Sequence, residues 1–541
     1  MKQAKNTVII FFLWLFIIPS FAQRNTILII ADDLSPDYFG FYENHGDTVD
    51  VPNIRSLMTR GIRFKNFYSN PVCSSTRTTI LTGRYSFRTG VGGIVGGVGG
   101  SNQIDTAEVS IPKLLKKYNP NIAKANIGKW HLKNPTPAIN LMSPQALGYD
   151  WYEGPFIGQI PNYTNWTKHT NGVASTVTTY ATSENVNNAV TWLKTQNPNN
   201  PFFLWLAFNA PHDPLHLPPA GLHTFTNLSG TTANINAQPK QYFKAMIQAL
   251  DHEIGRLIDS LQVMNKMDST DIIFVGDNGN TPRTAQITDL TKAKGTVYEY
   301  GIHVPCIIAG PSVVTKGRVS NALVNTTDLF ATIIENFGYT NWQTQIPSST
   351  PVDSKSLQPI IKNIGDSIRP WAFSEIFKLT TDSSDGKSMR NKNYKLIRFD
   401  YGAQEFYNLT VDPLESNNLL NGTLTDADIS NYNYLCNEMT TLVGGPSFCQ
   451  NVVAVNELDT NNSVVLFPNP MRNTLNIKLT KETPEGYSVE ILDLQGKIVF
   501  KQQNIHPIGT HSVSLSPMPS GLYFALIKTR DSNFIKKIIL E

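Results

Sequence analysis

Blocks of charge are missing from this chain. Its 45 Lys and Arg against 42 Asp and Glu leave a formal charge of +3 over 541 residues. The basic residues are scattered, which excludes the concentrated basic face of a nucleic-acid-binding protein. Long apolar runs are missing too, with one exception. After Lys2 and Lys5 comes VIIFFLWLFIIP, closed by Ser20, Phe21 and Ala22, the charged start, apolar stretch and small-residue end of a secretory signal. The run falls short of the roughly 20 residues a lipid-spanning helix needs. Residues 1–22 therefore read as a signal peptide, and the mature chain, from near Gln23, as having no membrane span. Internal repeats and long low-complexity tracts are absent as well. Cysteine is rare, with four in all. Cys436 and Cys449, close together in a loop-like stretch, suit a disulfide in an oxidising compartment. Cys306, inside VPCIIAG, reads as a buried inert thiol, and Cys73, in the polar segment NPVCSSTRTTILTGRY, as a reactive one.

What is present suffices for a large core. Hydrophobic residues make up 40% of the chain, and the length predicts one large domain with at least one smaller one. NTILIIAD from Asn25, PFFLWLAF from Pro201 and DIIFVGDN from Asp271 are short apolar runs ending in polar residues, as doubly buried strands do. Between them lie helical patterns, the clearest placing Tyr242, Met246, Leu250, Ile254, Leu257, Ile258 and Leu261 on one face. Alternating strands and helices predict an α/β fold with a largely parallel sheet over residues 23–380. Residues 381–450, with MRNKNYKLIRF and EFYNLTVDPLE, predict a smaller, strand-rich C-terminal subdomain. Residues 451–463 read as a linker. From 464 to 541, apolar and polar positions alternate between turn signals at Pro468-Asn469-Pro470 and Pro519-Ser520-Gly521, the pattern of a small β-sandwich.

In parallel α/β sheets, ligands gather beyond the carboxyl ends of the strands, and the residues at these ends carry chemistry. Asp32 and Asp33 follow the first strand, Asn209 to His212 a middle one, and Asp277 and Asn278 a later one. Each pair alone reads as readily as a turn or cap. Together they offer oxygen donors, a set that favours Ca²⁺ or Mg²⁺ over zinc. Such an ion is useful against an anionic substrate. Cationic candidates to hold that anion are Lys129 and His131 in GKWHL, His212 in APHDPLHLP and Lys294 in KGTVYEYG. Cys73 opens a helical pattern, where the helix dipole and free amide donors favour a bound sulfate or phosphate, with Arg77 one turn on. An ordinary thiol there could also be a cysteine of depressed pKa.

These motifs, in this order, resemble the formylglycine-dependent sulfatases of the alkaline phosphatase superfamily. IIADD, PNIRSLMTRGIRFKNFY, CSSTRTTILTGR, IGKWHL, APHDPLHLP, ALDHEIGRLIDSL, GDNG, KGTVYEYGIHVP, NTTDLF and FYNLTVDPLESNNL carry the likeness from about residue 25 to 420. The resemblance implies an alkaline phosphatase-like fold. It implies Ca²⁺, in preference to Mg²⁺, held by Asp32, Asp33, Asp277 and Asn278, with an oxygen of modified Cys73 completing the site. Arg77, Lys129, Lys294 and His212 would bind the sulfate and the formylglycine oxygens. One hydroxyl of the hydrated aldehyde derived from Cys73 would attack sulfur, with His212 and Lys294 placed to protonate the departing alcohol. His131 would be the base that breaks down the enzyme sulfate ester, expelling sulfate and restoring the aldehyde.

The likeness has departures. Where the family's maturation signature carries Pro or Ala two residues after the cysteine, this chain has Ser75, followed by Thr76 where Ser is frequent. Tyr300 and His303 replace a common Gly and a common Arg, changes expected to alter the neighbouring loop or substrate pocket. The loops at 135–182 and 217–241 are expected to shape that pocket as well. LFPNPMRNTLNIKL, DLQGKIV, PSGLYFALI and FIKKIILE resemble the sorting domains read by the type IX secretion system of Gram-negative bacteria; a carbohydrate-binding sandwich shares the strand pattern. The expected partners are a sulfated polysaccharide or its oligosaccharides, a formylglycine-generating maturation enzyme and the type IX machinery. The expected location is extracellular or cell-surface, after periplasmic passage. Two other readings stay open: a phosphoester hydrolase of the same superfamily, and an unmodified, catalytically silent binding protein.

Overall fold

The computed structural model describes residues 24–43, 46–445, 447, 449–450, 464–479, 486–505, 510–530 and 533–541. The expected signal peptide at 1–22 and linker at 451–463 lie outside the described residues. Two compact units emerge, one within Met1–Leu420 and Tyr432–Cys449, the other within Asn421–Asn431 and Gln450–Glu541.

The first unit is built on a ten-stranded sheet. Its strands are β1 (Asn25–Ala31), β2 (Gly61–Tyr68), β3 (Ala123–Gly128), β4 (Trp151–Gly154), β5 (Trp166–Thr170), β6 (Val173–Val177), β7 (Phe202–Ala207), β8 (Thr270–Gly276), β9 (Cys306–Ala309) and β10 (Arg318–Asn325), in the spatial order β10-β2-β9-β8-β1-β7-β3-β4-β5-β6. The central run from β8 to β4 is parallel. Because alternate side chains point to opposite faces, Ile27 and Ile29 of β1 enter one core while Leu28 and Ile30 enter the other. Burial on both faces is why the strand is an unbroken apolar run. The helix Pro239–Val263 closes the first face, and every position of its expected apolar stripe is buried. The helix Leu329–Asn336 closes the second.

Four antiparallel strands follow: β11 (Ala372–Ile376), β12 (Gly386–Arg390), β13 (Tyr394–Phe399) and β14 (Gln404–Asn408). This strand-rich part begins ahead of residue 381. Part of the stretch read as pocket loop, 135–182, is strand: β4, β5 and β6 extend the main sheet. Cys436 and Cys449 form a disulfide, and Cys306 is a buried free thiol.

The second unit is a sandwich. One sheet holds β15 (Val464–Phe467), β16 (Thr474–Leu479) and β19 (Thr510–Ser514). The other holds β17 (Tyr487–Leu492), β18 (Ile498–Ile505), β20 (Gly521–Lys528) and β21 (Asn533–Leu540). Leu475, Ile477, Val489, Ile491, Ala525, Ile527 and Ile538 fill the space between them.

Candidate active site

Register decides what meets at the sheet's carboxyl edge. Ala31 of β1 lies beside Gly276 of β8, Ile30 beside Ala207 of β7, and Ala207 beside Gly128 of β3. Asp32, Asp277, Lys129 and the turn at 209–212 each follow one of these ends within a few residues and so emerge together. Backbone bonds fasten them: Asp277 N–H donates to Ala31 at 3.1 Å, Asp32 N–H to Ala210 at 3.1 Å and Lys129 N–H to Ala207 at 2.8 Å. Lys294 comes from the β8–β9 connection. Its own N–H donates to Asn280 at 2.9 Å, and the next N–H, of Gly295, to Pro71 at 3.0 Å, so the loop is pinned between the Asp277 turn and the segment before Cys73.

Cys73 is the first residue of the helix Cys73–Thr82, buried along its whole length. Thr76 N–H donates to Val72 at 3.2 Å, leaving the amides of Cys73, Ser74 and Ser75 in the first turn, where a helix has no carbonyl of its own to offer. Position 75 therefore asks nothing of the backbone that a proline lacks. Ser75 fills it with a hydroxyl that donates to Val72 O at 2.9 Å. Cys73 Sγ lies 3.1 Å from His131 Nδ1, while His131 Nε2 lies 3.0 Å from Val95 O. A carbonyl only accepts, so Nε2 carries the proton and the Nδ1 lone pair faces Cys73. Burial, then Lys129 and Arg77, hold the His131 imidazole well below its usual range. Burial pushes the Cys73 thiol up, against the pull of Lys129 and Lys294. The alternative of a depressed-pKa cysteine is thereby corrected: desolvation outweighs the cations around the sulfur.

The carboxylates are shared in a regular way. Lys129 Nζ and, at 3.6 Å, Arg77 Nη2 engage Asp32 Oδ2. Lys294 Nζ and Asn278 Nδ2 engage Asp33 Oδ1, the latter at 2.7 Å. Asp277 takes Arg77 Nη2 on Oδ2 at 2.8 Å and the Asp33 N–H on Oδ1 at 3.0 Å. What remains is Asp32 Oδ1, Asp33 Oδ2 and Asn278 Oδ1, all buried and without a hydrogen-bond partner. Buried acceptors are rarely left so. Three spare oxygens and no spare sulfur are the donor chemistry of a hard cation. Ligand atoms of Asp32, Asp33 and His212 also lie within 4.8 Å of one another. His212 and Lys294 keep 13% and 12% of their side chains exposed, while Asp32, Arg77 and Lys129 keep none.

Burial raises the Asp32 carboxyl, but Lys129, His212, Arg77 and Lys294 outweigh it and hold it well below the usual carboxylate range. Burial and the adjacent Asp32 push Asp277 up to about 6, against Arg77 and Lys129. Burial would lower the Lys294 ammonium, yet Asp33 and Cys73 raise it above its ordinary value, so it stays charged. Burial lowers His212, against the pull of Asp33; its Nδ1 lies 2.8 Å from Asp213 O and its Nε2 3.6 Å from Asp33.

All ten expected site residues thus converge. Several positioning residues carried no sequence signal. Ser74 Oγ donates to His131 O at 2.9 Å and accepts from Val95 N–H at 3.1 Å, tying His131 to the residue whose carbonyl faces its Nε2. Gly158 backs the His131 ring so closely that a Cβ would stand 2.2 Å from Cε1. Tyr163 OH lies 2.8 Å from both Asn209 O and His212 O. Asp33 and His131 themselves take left-handed backbone, φ 62° and 56°, a conformation kept where surrounding contacts impose it. Tyr300 donates to Asp37 Oδ2 at 2.6 Å, and His303 stacks on Tyr68. Both line a cavity of about 820 Å³ with Gln286 and Arg390.

Known proteins resemble this chain. Residues 24–339 match the sulfatase family model, 292–440 that of the N-sulphoglucosamine sulphohydrolase C-terminal region, and 465–541 the secretion system C-terminal sorting domain, which marks the protein for the cell surface or beyond. The chain is 27% identical to mouse (Mus musculus) arylsulfatase J over 333 residues, 58% of this chain and 52% of that protein. It is 28% identical to human (Homo sapiens) N-acetylgalactosamine-6-sulfatase over 378 residues, 62% of this chain and 65% of that one. It thus spans about half to two thirds of these relatives' length. The crystal structure of Ps i-CgsB in complex with k-i-k-neocarrahexaose shares the fold, with a TM-score of 0.64 and 24% identity over 80% of this chain and 95% of that one. A model matched across more than half the chain, on the strands and loops that gather these residues, makes this protein a member of the sulfatase family.

Proposed function

We propose that this protein hydrolyses sulfate monoesters on a sulfated polysaccharide or its oligosaccharides, using Cys73 converted to formylglycine. The observation that carries the reading is the trio of unpartnered oxygens on Asp32, Asp33 and Asn278 beside a cysteine at a helix start. Asp32, Asp33, Asp277 and Asn278, with the modified Cys73, would hold a Ca²⁺ ion there, which would supply charge neutralisation and polarisation of the attacking group. Three carboxylates, Asp32, Asp33 and Asp277, already balance three cations, Arg77, Lys129 and Lys294. A dication would leave a surplus of two positive charges, which suits an anion. Arg77, Lys129, Lys294 and His212 bind and orient the sulfate. Lys294 holds a proton on Nζ near the departing oxygen, with His212 Nε2 beside it. His131 Nδ1, kept neutral, takes the proton from the residue-73 side chain. The carbohydrate substrate is supported by export and by the names of the relatives, an N-acetylgalactosamine-6-sulfatase and a structure in complex with k-i-k-neocarrahexaose.

The same reading assigns 1–22 as signal peptide, 23–380 as catalytic domain, 381–450 as its C-terminal subdomain, 451–463 as linker and 464–541 as sorting domain, reached through the periplasm. Purified protein, matured by a formylglycine-generating enzyme, is expected to release nitrophenol from its sulfate ester faster than from its phosphate ester. A preference for phosphate overturns the reading in favour of a phosphoester hydrolase. An unmodified thiol at Cys73 in protein from the native host, read by peptide mass spectrometry, overturns it in favour of a silent binding protein. Release of sulfate from a panel of defined sulfated oligosaccharides identifies the linkage.

A further inference from the structure

We propose that Arg283 reads a second anionic group on the substrate, so that the favoured saccharide carries a sulfate or a carboxylate besides the ester that is cleaved; the inference rests on the sulfatase reading above. Arg283 stands on the connection that leaves β8, a few positions after Asn278. The turn beneath it is fixed. Thr284 and Ala285 N–H donate to Thr281 O at 3.0 and 2.9 Å, and Thr284 O accepts from Tyr38 OH at 2.6 Å. From there the guanidinium reaches two other segments: Nη1 donates to Asp213 Oδ1 at 3.4 Å and Nη2 to Asn236 Oδ1 at 2.6 Å. Asp213 follows His212, and its carbonyl lies 2.8 Å from His212 Nδ1. Asn236 belongs to the short helix Thr232–Ala237, inside the stretch 217–241 expected to shape the substrate pocket. A single residue thus separates Arg283 from His212, on the opposite side of the ring from the Nε2 that faces Asp33.

Holding the loops together does not use this side chain up. A guanidinium offers more N–H donors than these two contacts engage, Nε among them. The Asp213 contact is single and long, not the paired fork of an arginine and a carboxylate that neutralise each other. The Arg283 side chain also stays 39% exposed. Sulfate and carboxylate both present two oxygens to such a planar group. Charge gives a separate reason. With a dication bound, the cluster around Cys73 has two positive charges in surplus, and a sulfate monoester brings one negative charge. A second anion beside Arg283 completes the match.

The test compares oligosaccharides that share one cleavable sulfate ester and differ in a second group: none, a second sulfate, or a carboxylate. Sulfate release by the matured protein gives kcat/KM for each, and titration calorimetry on Cys73→Ala with Ca²⁺ gives affinity without turnover. The original chain is expected to favour one doubly charged form, and which one names the anion. Arg283→Gln is expected to lower that preference about tenfold in both readouts, the loss of one charge-assisted contact. Arg283→Lys is expected to lower it severalfold, because a point charge replaces the fork. Lys240→Gln, which removes an exposed cation from the start of the helix Pro239–Val263, is expected to leave the preference as it was. Thermal midpoints report folding; should Arg283→Gln unfold, Arg283→Lys decides. A preference that survives in the folded variants overturns the inference, as does an original chain with no preference for a second charge. An equal loss on singly and doubly charged forms makes Arg283 a prop for the His212 turn, and an equal effect of Lys240→Gln makes it one of general field; either overturns the inference. Hydrolysis of nitrophenyl sulfate but of none of the saccharides overturns the carbohydrate reading and the inference with it. Hydrolysis of neither overturns the sulfatase reading as well.

Discussion

At the scale of single residues, the site is governed by which atoms have a partner and which do not. On the proposed mechanism, replacing Cys73 with Ala removes the carrier of the attacking oxygen and little packing, so turnover is expected to vanish while the thermal midpoint stays near that of the original chain. Retained hydrolysis would sink the mechanism. The unpartnered oxygens predict stabilisation by metal. At a hundred times its dissociation constant an ion binding only the folded state adds about 2.7 kcal/mol. Ca²⁺ should therefore raise the melting temperature of the original chain, and chelation reverse it, while Asp32→Asn should respond weakly or not at all. An equal shift in both proteins would place the ion elsewhere. Gly158→Ala inserts a methyl group against the His131 ring, which Val95 O and Cys73 hold from the other nitrogens. Misplacing a catalytic group by an ångström can cost about 100-fold. A fall of that order in kcat, with KM little changed, is expected from steady-state kinetics. The ten candidate residues could be named beforehand, as a set expected to meet, because their motifs stand in a recognisable order. Gly158, Ser74 and Tyr163 were not, because each acts through a neighbour that only folding supplies.

At the scale of elements, the small antiparallel sheet is stitched to the segment that leads into the nucleophile. Ser374 Oγ of β11 donates to Ser69 O at 2.6 Å, and Glu375 N–H to Asn70 Oδ1 at 3.3 Å. Asn70 in turn exchanges hydrogen bonds with Thr76 in the first turn of the Cys73–Thr82 helix. Glu375 is fully buried, accepts the Phe87 N–H on one oxygen at 2.8 Å and leaves the other without a partner. Burial pushes its carboxyl from 4.5 up to about 7, against the Phe87 bond and Lys387. A raised folded pKa means the folded chain keeps a proton that the unfolded chain releases between pH 4.5 and 7. Stability therefore falls as pH rises through that window, by up to about 3 kcal/mol, and the loss is complete above it. Glu375→Gln keeps the acceptor for Phe87 and removes the charge. Urea denaturation at pH 5 and pH 8 is expected to show the variant gaining stability over the original chain only at the higher pH; the same difference at both would refute the assignment. Periodicity forecast β1, β7, β8 and the long helix, since their apolar pattern is local. It did not forecast that β4 to β6 extend the main sheet or that β11 starts before residue 381, because pairing between distant strands leaves no mark in either strand alone.

At the scale of the whole molecule, the parts agree on an oxidising, exported setting. The Cys436–Cys449 bond closes a short loop, 13 residues apart in sequence, and such bonds persist outside the cytoplasm. Peptide mapping of the exported protein under non-reducing conditions is expected to recover the two cysteines in one linked species; two free thiols would argue against that route. Among the described residues no helix is long and apolar enough to cross a membrane, and the C-terminal sorting domain supplies the route to the surface.

With charge scattered along the chain, only folding could concentrate it, and folding brings three carboxylates and three cations from segments up to 262 positions apart, Asp32 to Lys294, into one buried cluster. By itself the sequence determined the central strands β1, β7 and β8, the long helix, the sorting tail and the ordered motifs, because these depend on local periodicity and short spacings. Tertiary structure alone decided which oxygens are left free for an ion, which nitrogen of His131 faces Cys73, and that the thiol is raised rather than depressed. Those outcomes depend on burial and on contacts between distant segments, and neither exists until the sheet has formed.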